Sequence, residues 1–144
     1  MRHLLLEGKF DEASEYLEAT FPDLHYHNRK IAVAIDCLKV IELIRNGMVL
    51  EAVAFSQERL SKFSNMTIPA RLRNGKETEI LVDRVIALVA YMEPSESELA
   101  FLLDPSQREV TFDLINNTLL CMCLLISQHS YDMPSPATKK SSTF

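Results

Sequence analysis

Gly8-Lys9-Phe10-Asp11-Glu12-Ala13 is met again 39 residues later as Gly47-Met48-Val49-Leu50-Glu51-Ala52. At the same offset Leu4-Leu5 aligns with Leu43-Ile44, Tyr16 with Phe55, and Phe21 with Leu60. Glycine enters the left-handed conformation that ends a helix at low cost, so Gly8 and Gly47 each read as the stop of one helix before the next. Ala13 and Ala52, five residues past each glycine, are small enough to let two helices approach closely. Each copy therefore reads as a helical hairpin, and a 39-residue period lies in the range of helical-hairpin repeats. The predicted fold class is all-α: antiparallel hairpins packed as a bundle or short solenoid, about six to seven helices in number.

Outward from the repeat, 3.6-residue periodicity places the elements. A short helix ends near residue 7, and a second covers 10–21, where Pro22 stops it. The third, 28–46, carries Ile31, Ile35, Leu38 and Ile41 on one stripe and Val33, Cys37, Val40 and Ile44 on another. Apolar stripes on two sides mark a helix sandwiched between neighbours, hence a central one. The fourth, 48–63, is expected to bury Val49, Val53, Leu60 and Phe63. Residues 64–76, with Pro69 and Asn74-Gly75, read as a mobile loop. A fifth helix is predicted over 77–92, with Leu81, Val85, Leu88, Val89 and Met92 facing inward. Ser95-Glu96-Ser97-Glu98 has the spacing of a capping box for a short helix at 98–103. Asp104-Pro105-Ser106-Gln107 repeats the signal, with Asp104 as N-cap, Pro105 in the first turn and Gln107 reaching back. The helix it opens runs to about residue 128, and residues 130–144 read as a disordered tail.

Composition narrows the function classes. The formal net charge is −5, and the basic stripe expected of a nucleic-acid binder is missing. Arg71, Arg73 and Lys76, interrupted by Asn74 and Gly75, read as a solvated loop. The longest apolar run, Leu119 through Ile126, is far shorter than the ~20 residues that span a bilayer. No signal-peptide pattern is read at residues 1–8, since Glu7 and Gly8 follow the three leucines at once. Neither nucleic acid nor membrane is expected as a partner. Cys37, Cys121 and Cys123 lack CxxC spacing and are expected to be small buried hydrophobes, which points to a reducing compartment, cytoplasm or nucleus.

Catalytic chemistry finds little support. His25 and His27 flank Tyr26 in a connection with Asp23 nearby, and read as surface histidines, with a metal or acid–base site as the other reading. Cys37 lies on an apolar stripe without a basic activator, so it reads as an inert thiol. Asp11, Glu12, Glu15 and Glu18 have the spacing of a solvated helix face. No phosphate loop, HExxH or GxSxG occurs. No catalytic residue, cofactor or metal is assigned, and the chain is expected not to be an enzyme.

Several segments in fixed order carry a resemblance. Leu6-Glu7-Gly8-Lys9-Phe10-Asp11-Glu12-Ala13 and Phe21-Pro22 come first, then Cys37-Leu38-Lys39-Val40-Ile41-Glu42-Leu43-Ile44-Arg45-Asn46-Gly47 and Glu51-Ala52-Val53-Ala54-Phe55. Ala87-Leu88-Val89-Ala90-Tyr91 and Leu102-Leu103-Asp104-Pro105-Ser106-Gln107-Arg108 follow. Together they resemble the CTLH-CRA region of RanBPM-like and GID-type scaffold subunits of the CTLH (GID) ubiquitin ligase, over residues 4–120. The resemblance implies a CTLH segment at about 1–62, a CRA segment at about 48–129, and a non-catalytic role in subunit assembly. It implies other CTLH- or LisH-containing ligase subunits as partners, in a homo- or hetero-oligomer. After Leu120 the sequence leaves the family's usual C-terminal pattern.

A scaffold needs an apolar surface beyond its own core. The short first helix and the last helix are its expected donors, so the candidate partner interface is Leu4, Leu5, Arg108, Leu114, Thr118, Cys121 and Leu125. Two other readings stay open: a helical-repeat adaptor that binds a peptide in a concave groove, and a small helical enzyme or ligand carrier built around His25 and His27.

Overall fold

A computed structural model describes residues 1–22, 29–91 and 93–132, apart from the side chains of 126–132. The elements are α1 (Arg2–Leu6), α2 (Phe10–Thr20), α3 (Arg29–Arg45), α4 (Val49–Arg59), β1 (Thr67–Arg71), β2 (Glu77–Leu81), α5 (Val82–Leu88) and α6 (Gln107–Asp132). Single 3₁₀ turns occupy Ser61–Phe63, Pro94–Glu96 and Ala100–Leu103. The chain divides into two compact units, Met1–Leu114 and Ile115–Phe144.

The repeat predicted from sequence is a repeat in space. After α1 the Lys9 N–H donates to Leu4 O at 2.8 Å and the Gly8 N–H to Leu5 O at 3.1 Å. After α3 the Met48 N–H donates to Leu43 O at 2.8 Å and the Gly47 N–H to Ile44 O at 3.0 Å. Both are the paired bonds of a Schellman stop, which satisfy carbonyls that the helix leaves open. Gly8 and Gly47 have φ of 80° and 75°, a region costly for any residue with a Cβ. The next residues, Lys9 and Met48, start α2 and α4 with nearly the same backbone angles. Ala13 and Ala52 are fully buried, as close helix approach requires.

α3 is the central element. Its two apolar stripes are both buried, nine of its residues in all. Val33, Ala34, Cys37, Val40, Ile41 and Ile44 share one core cluster with Ala52, Leu60, Ile68, Ala70, Val82, Val85, Leu88, Leu99 and Leu102.

The all-α expectation needs correction between residues 64 and 81. The segment read as a mobile loop, and the first turn of the helix predicted over 77–92, form an antiparallel hairpin in which Ile68 faces Ile80 and Pro69 faces Glu79. Its turn closes by Gly75 N–H to Leu72 O at 3.0 Å and Leu72 N–H to Lys76 O at 2.7 Å, with Gly75 at φ 84°. That is the three-residue hairpin loop with a left-handed final residue. Arg71 accordingly lies in a strand, paired with Glu77 at 3.5 Å and Glu109 at 3.8 Å. The fifth helix shrinks to Val82–Leu88, and Leu81, expected inside, is 43% exposed. On α4, Ala52 and Ser56 are buried while Val49 is exposed, so its inward face is rotated from the one predicted.

The two capping signals fare differently. The Ser95–Glu98 box does not form: neither 3₁₀ turn of the segment has a side-chain cap bond, the Ser97 hydroxyl donates back to Pro94 O at 2.7 Å, and no α-helix follows at 98–103. A six-residue helix gains too few bonds to offset its nucleation. Asp104 does cap, its Oδ1 accepting the Ser106 N–H at 2.9 Å. The last helix extends through Asp132, so residues 130–132 are helical; 133–144, the rest of the predicted tail, lie outside the described residues.

Candidate interaction surfaces

The first turn of α6 supplies two side chains that act inward. Arg108 Nη1 donates to Leu6 O at 2.7 Å, and Nη2 pairs with Glu42 Oε2 at 2.8 Å. Its guanidinium lies 5.6 Å from the centre of the Phe10 ring. A Cβ built on Gly8 would stand 3.4 Å from Arg108 Nη2. One arginine thus joins the carbonyl end of α1, the start of α2 and the last turn of α3. Glu42 also accepts from Arg45 at 2.8 Å, completing a three-charge group.

Gln107, expected to reach back to its own helix start, is buried and turned toward the hairpin. Its Oε1 accepts the Arg71 N–H at 2.8 Å, and its Nε2 donates to Arg71 O at 2.7 Å and Phe101 O at 3.0 Å. A primary carboxamide presents one donor and one acceptor side by side, as a strand backbone does. No periodicity rule reveals such a partner 36 residues away.

The candidate interface residues separate by depth. Leu5 is completely buried and Leu4 half-buried, so α1 is a core element and offers little surface. Arg108 is engaged as described, and Leu114 packs against the core cluster. Thr118 is half-buried, whereas Cys121 and Leu125 are exposed. Leu120 and Leu124, 55% and 66% exposed, join Leu125 at 65%. The signal for them was the unbroken apolar run 119–126, which has no polar face to turn outward. Cys121 and Cys123, expected to be buried, are exposed for the same reason. A separate apolar group, Met48, Val49 and Leu50, lies at the start of α4, with Leu50 86% exposed.

Chemical groups are sparse among the described residues. Burial, then the neighbouring Asp36 carboxylate, pushes the Cys37 thiol far above its ordinary value. A thiol so held is not a nucleophile at neutral pH. Hydrogen bonds from the Ser106 backbone and hydroxyl hold the Asp104 carboxyl below the usual carboxylate value. Among the described residues no group of three or more His, Cys, Asp or Glu could hold a metal ion, and no helix is long and apolar enough to cross a membrane. His25 and His27 lie outside the described residues. Asp11, on the acidic face of α2, pairs with Lys39 at 2.6 Å.

Comparison with known proteins agrees with the order of motifs. The family model for the CTLH/CRA C-terminal to LisH motif domain matches residues 1–133. A Ran-binding protein M homolog from Arabidopsis thaliana is 30% identical over 121 residues, covering 83% of this chain and 24% of that protein. A glucose-induced degradation protein 8 homolog from Dictyostelium discoideum is 31% identical over 113 residues, 78% of this chain and 46% of that protein. Its counterpart from Nematostella vectensis is 27% identical over 120 residues, 83% of this chain and 50% of that protein. The chain thus spans between a quarter and a half of the length of these relatives. No solved structure matches it.

Proposed function

The chain belongs to the CTLH/CRA C-terminal to LisH motif domain family, and from that membership we propose that it is a non-catalytic assembly module of a CTLH (GID)-type ubiquitin ligase. Its partners in this reading are other CTLH- or LisH-containing subunits, joined in a homo- or hetero-oligomer. The observation that carries the reading is the second half of α6, inside the matched region, where Leu120, Leu124 and Leu125 stand in solvent. Three large apolar side chains within six residues of one helix exceed what scattered surface leucines amount to, and a partner helix would bury them as i, i+4 anchors. Cys121 adds a small apolar group between them. Leu5, Leu114 and Arg108 then hold the module together from within, while Cys121 and Leu125 meet the partner.

Three free thiols, two of them at the surface, favour a reducing compartment, and we place the module in the cytoplasm or nucleus.

The test is co-expression with a LisH-containing ligase subunit, followed by size-exclusion chromatography with light scattering. Wild type should co-elute with the subunit; Leu124→Asp/Leu125→Asp should not, with unchanged helical circular dichroism. If the double variant assembles as wild type does, the second half of α6 is not the interface.

A further inference from the structure

Only two asparagines of the chain precede a glycine, Asn46 and Asn74. Glycine has no Cβ to crowd its nitrogen, so in such a pair that nitrogen can reach the carboxamide of the asparagine before it. The fold puts the two pairs in opposite circumstances.

Asn46-Gly47 is the stop between α3 and α4. The Asn46 N–H donates to Glu42 O at 3.0 Å, the Gly47 N–H to Ile44 O at 3.0 Å and the Met48 N–H to Leu43 O at 2.8 Å. Ile44 before the pair and Ala52 after it are buried in the same core cluster. Turning the Asn46–Gly47 peptide therefore pulls on packed helices at both ends. Asn74-Gly75 is the tip of the β-hairpin instead. Residues 73–76 are all exposed, and the loop is closed by Gly75 N–H to Leu72 O at 3.0 Å and Leu72 N–H to Lys76 O at 2.7 Å. Opening these bonds uncovers no core side chain, which puts the tip at the low end of local stability. The Asn74 side chain is also folded over the Gly75 peptide already, its Oδ1 accepting the Lys76 N–H at 3.0 Å. That N–H draws electron density from Asn74 Cγ and faces the oxygen that turns negative when Cγ is attacked.

We propose that Asn74 is a site of self-modification, where the folded chain deamidates at the hairpin tip while Asn46 stays intact. The loop opens, the Gly75 N–H gives its proton to hydroxide, and the nitrogen forms a bond to Asn74 Cγ. The carboxamide C–N bond breaks, and its nitrogen takes a proton from water and leaves as ammonia. A five-membered succinimide remains. Water then adds to one of the two ring carbonyls and opens the ring, so the sum is a hydrolysis with no change of oxidation state. Addition at Cγ gives aspartate, which keeps an acceptor for the Lys76 N–H. Addition at the main-chain carbonyl gives isoaspartate, whose backbone runs through Cβ and Cγ. The loop is then one atom longer, and the Leu72–Lys76 closure loses its register. The site is independent of the apolar half of α6 and of the assembly role built on it.

The test incubates the full chain at neutral pH, folded and in denaturant, and follows each asparagine by peptide mapping with mass spectrometry. Isoaspartate is counted by methyl transfer from S-adenosylmethionine with an isoaspartyl methyltransferase. In denaturant both pairs should convert at similar rates, because the local chemistry is shared. In the folded chain Asn74 should convert at least about tenfold faster than Asn46. Amide exchange at Leu72 should quicken in the isoaspartate form and stay as in wild type in Asn74→Asp, which carries the charge without the longer backbone. Equal rates at Asn46 and Asn74 in the folded chain overturn the proposal. So does an Asn74 that stays intact when folded, or an isoaspartate form in which Leu72 is as protected as before.

Discussion

Replacing Arg108 with methionine keeps most of its aliphatic length and removes the guanidinium. Two charge-assisted contacts are lost: the bond to Leu6 O at 2.7 Å and the pair with Glu42 at 2.8 Å. Hydrogen bonds to charged groups contribute about 1.5–3 kcal/mol each when shielded from water. Shielding here is incomplete, with the Arg108 side chain 14% and the Glu42 side chain 27% exposed. Glu42 also retains Arg45, so the carboxylate is not stranded and the larger penalty for breaking a buried pair does not apply in full. The expected loss is therefore about 2–4 kcal/mol, a large part of the 5–15 kcal/mol typical of a whole domain. Urea denaturation followed at 222 nm measures it, with Arg108→Lys alongside. Lysine can reach one acceptor but not fork between Leu6 and Glu42, so it should recover less than half of the loss. A change below about 0.5 kcal/mol for the methionine variant, within the range of ordinary surface substitutions, would refute the clasp. So would full rescue by lysine.

Gly8→Ala and Gly47→Ala should each cost about 1–2 kcal/mol, because φ near 80° is strained for alanine at both sites. The penalties should be alike in denaturant midpoint, since the space at Gly8 ends at ordinary contact distance and that at Gly47 is open. Gln107→Glu keeps the acceptor for the Arg71 N–H but removes the donor to Arg71 O and Phe101 O, leaving a carboxylate facing two carbonyls. It should lower stability by about 2–4 kcal/mol at neutral pH and by less in acid, where the carboxyl regains a proton to donate; melts across pH check this. Asp104 has a folded-state pKa below its ordinary 3.8, so its stabilisation is complete above that value and is lost as pH falls through the lowered one. The stability of Asp104→Asn, followed from neutral pH down to about pH 2.5, should fall less steeply with acid than wild type. In a native-state thiol titration Cys121 and Cys123 should react at once, and Cys37 only after denaturant is added.

What could be read beforehand was whatever depends on local chemistry. The two glycine stops, the two-sided burial of α3 and the Asp104 cap rest on residues within one or two turns of each other, and each stands where the pattern put it. The hairpin was missed because its two cues opposed each other. Asn74-Gly75 is a strong turn signal, but Pro69 argued against a strand, and only the pairing register shows that this proline sits where no N–H is required. Leu81 and Val85 have helical spacing by coincidence of a strand running directly into α5. Among the interface residues, Arg108 and Leu5 look like surface and core candidates alike in sequence. A partner 102 positions away assigns Arg108 to the interior. The long apolar run of α6 gave no orientation at all, since every side of that helix is apolar between residues 119 and 126.

The clasp between Arg108 and Leu6 also sets a schedule during synthesis. α1 and α2 emerge ahead of the other elements described and can form their turn from neighbouring residues alone, but the hook that fastens them is 102 positions downstream. At roughly 5–20 residues per second that is a delay of about 5–20 s, plus the length hidden in the exit tunnel. Throughout it Phe10 lacks the guanidinium that covers it. The hairpin of α1 and α2 is thus made well before it is secured, and a ribosome pause ahead of the Arg108 codon lengthens the interval in which a chaperone can hold that segment.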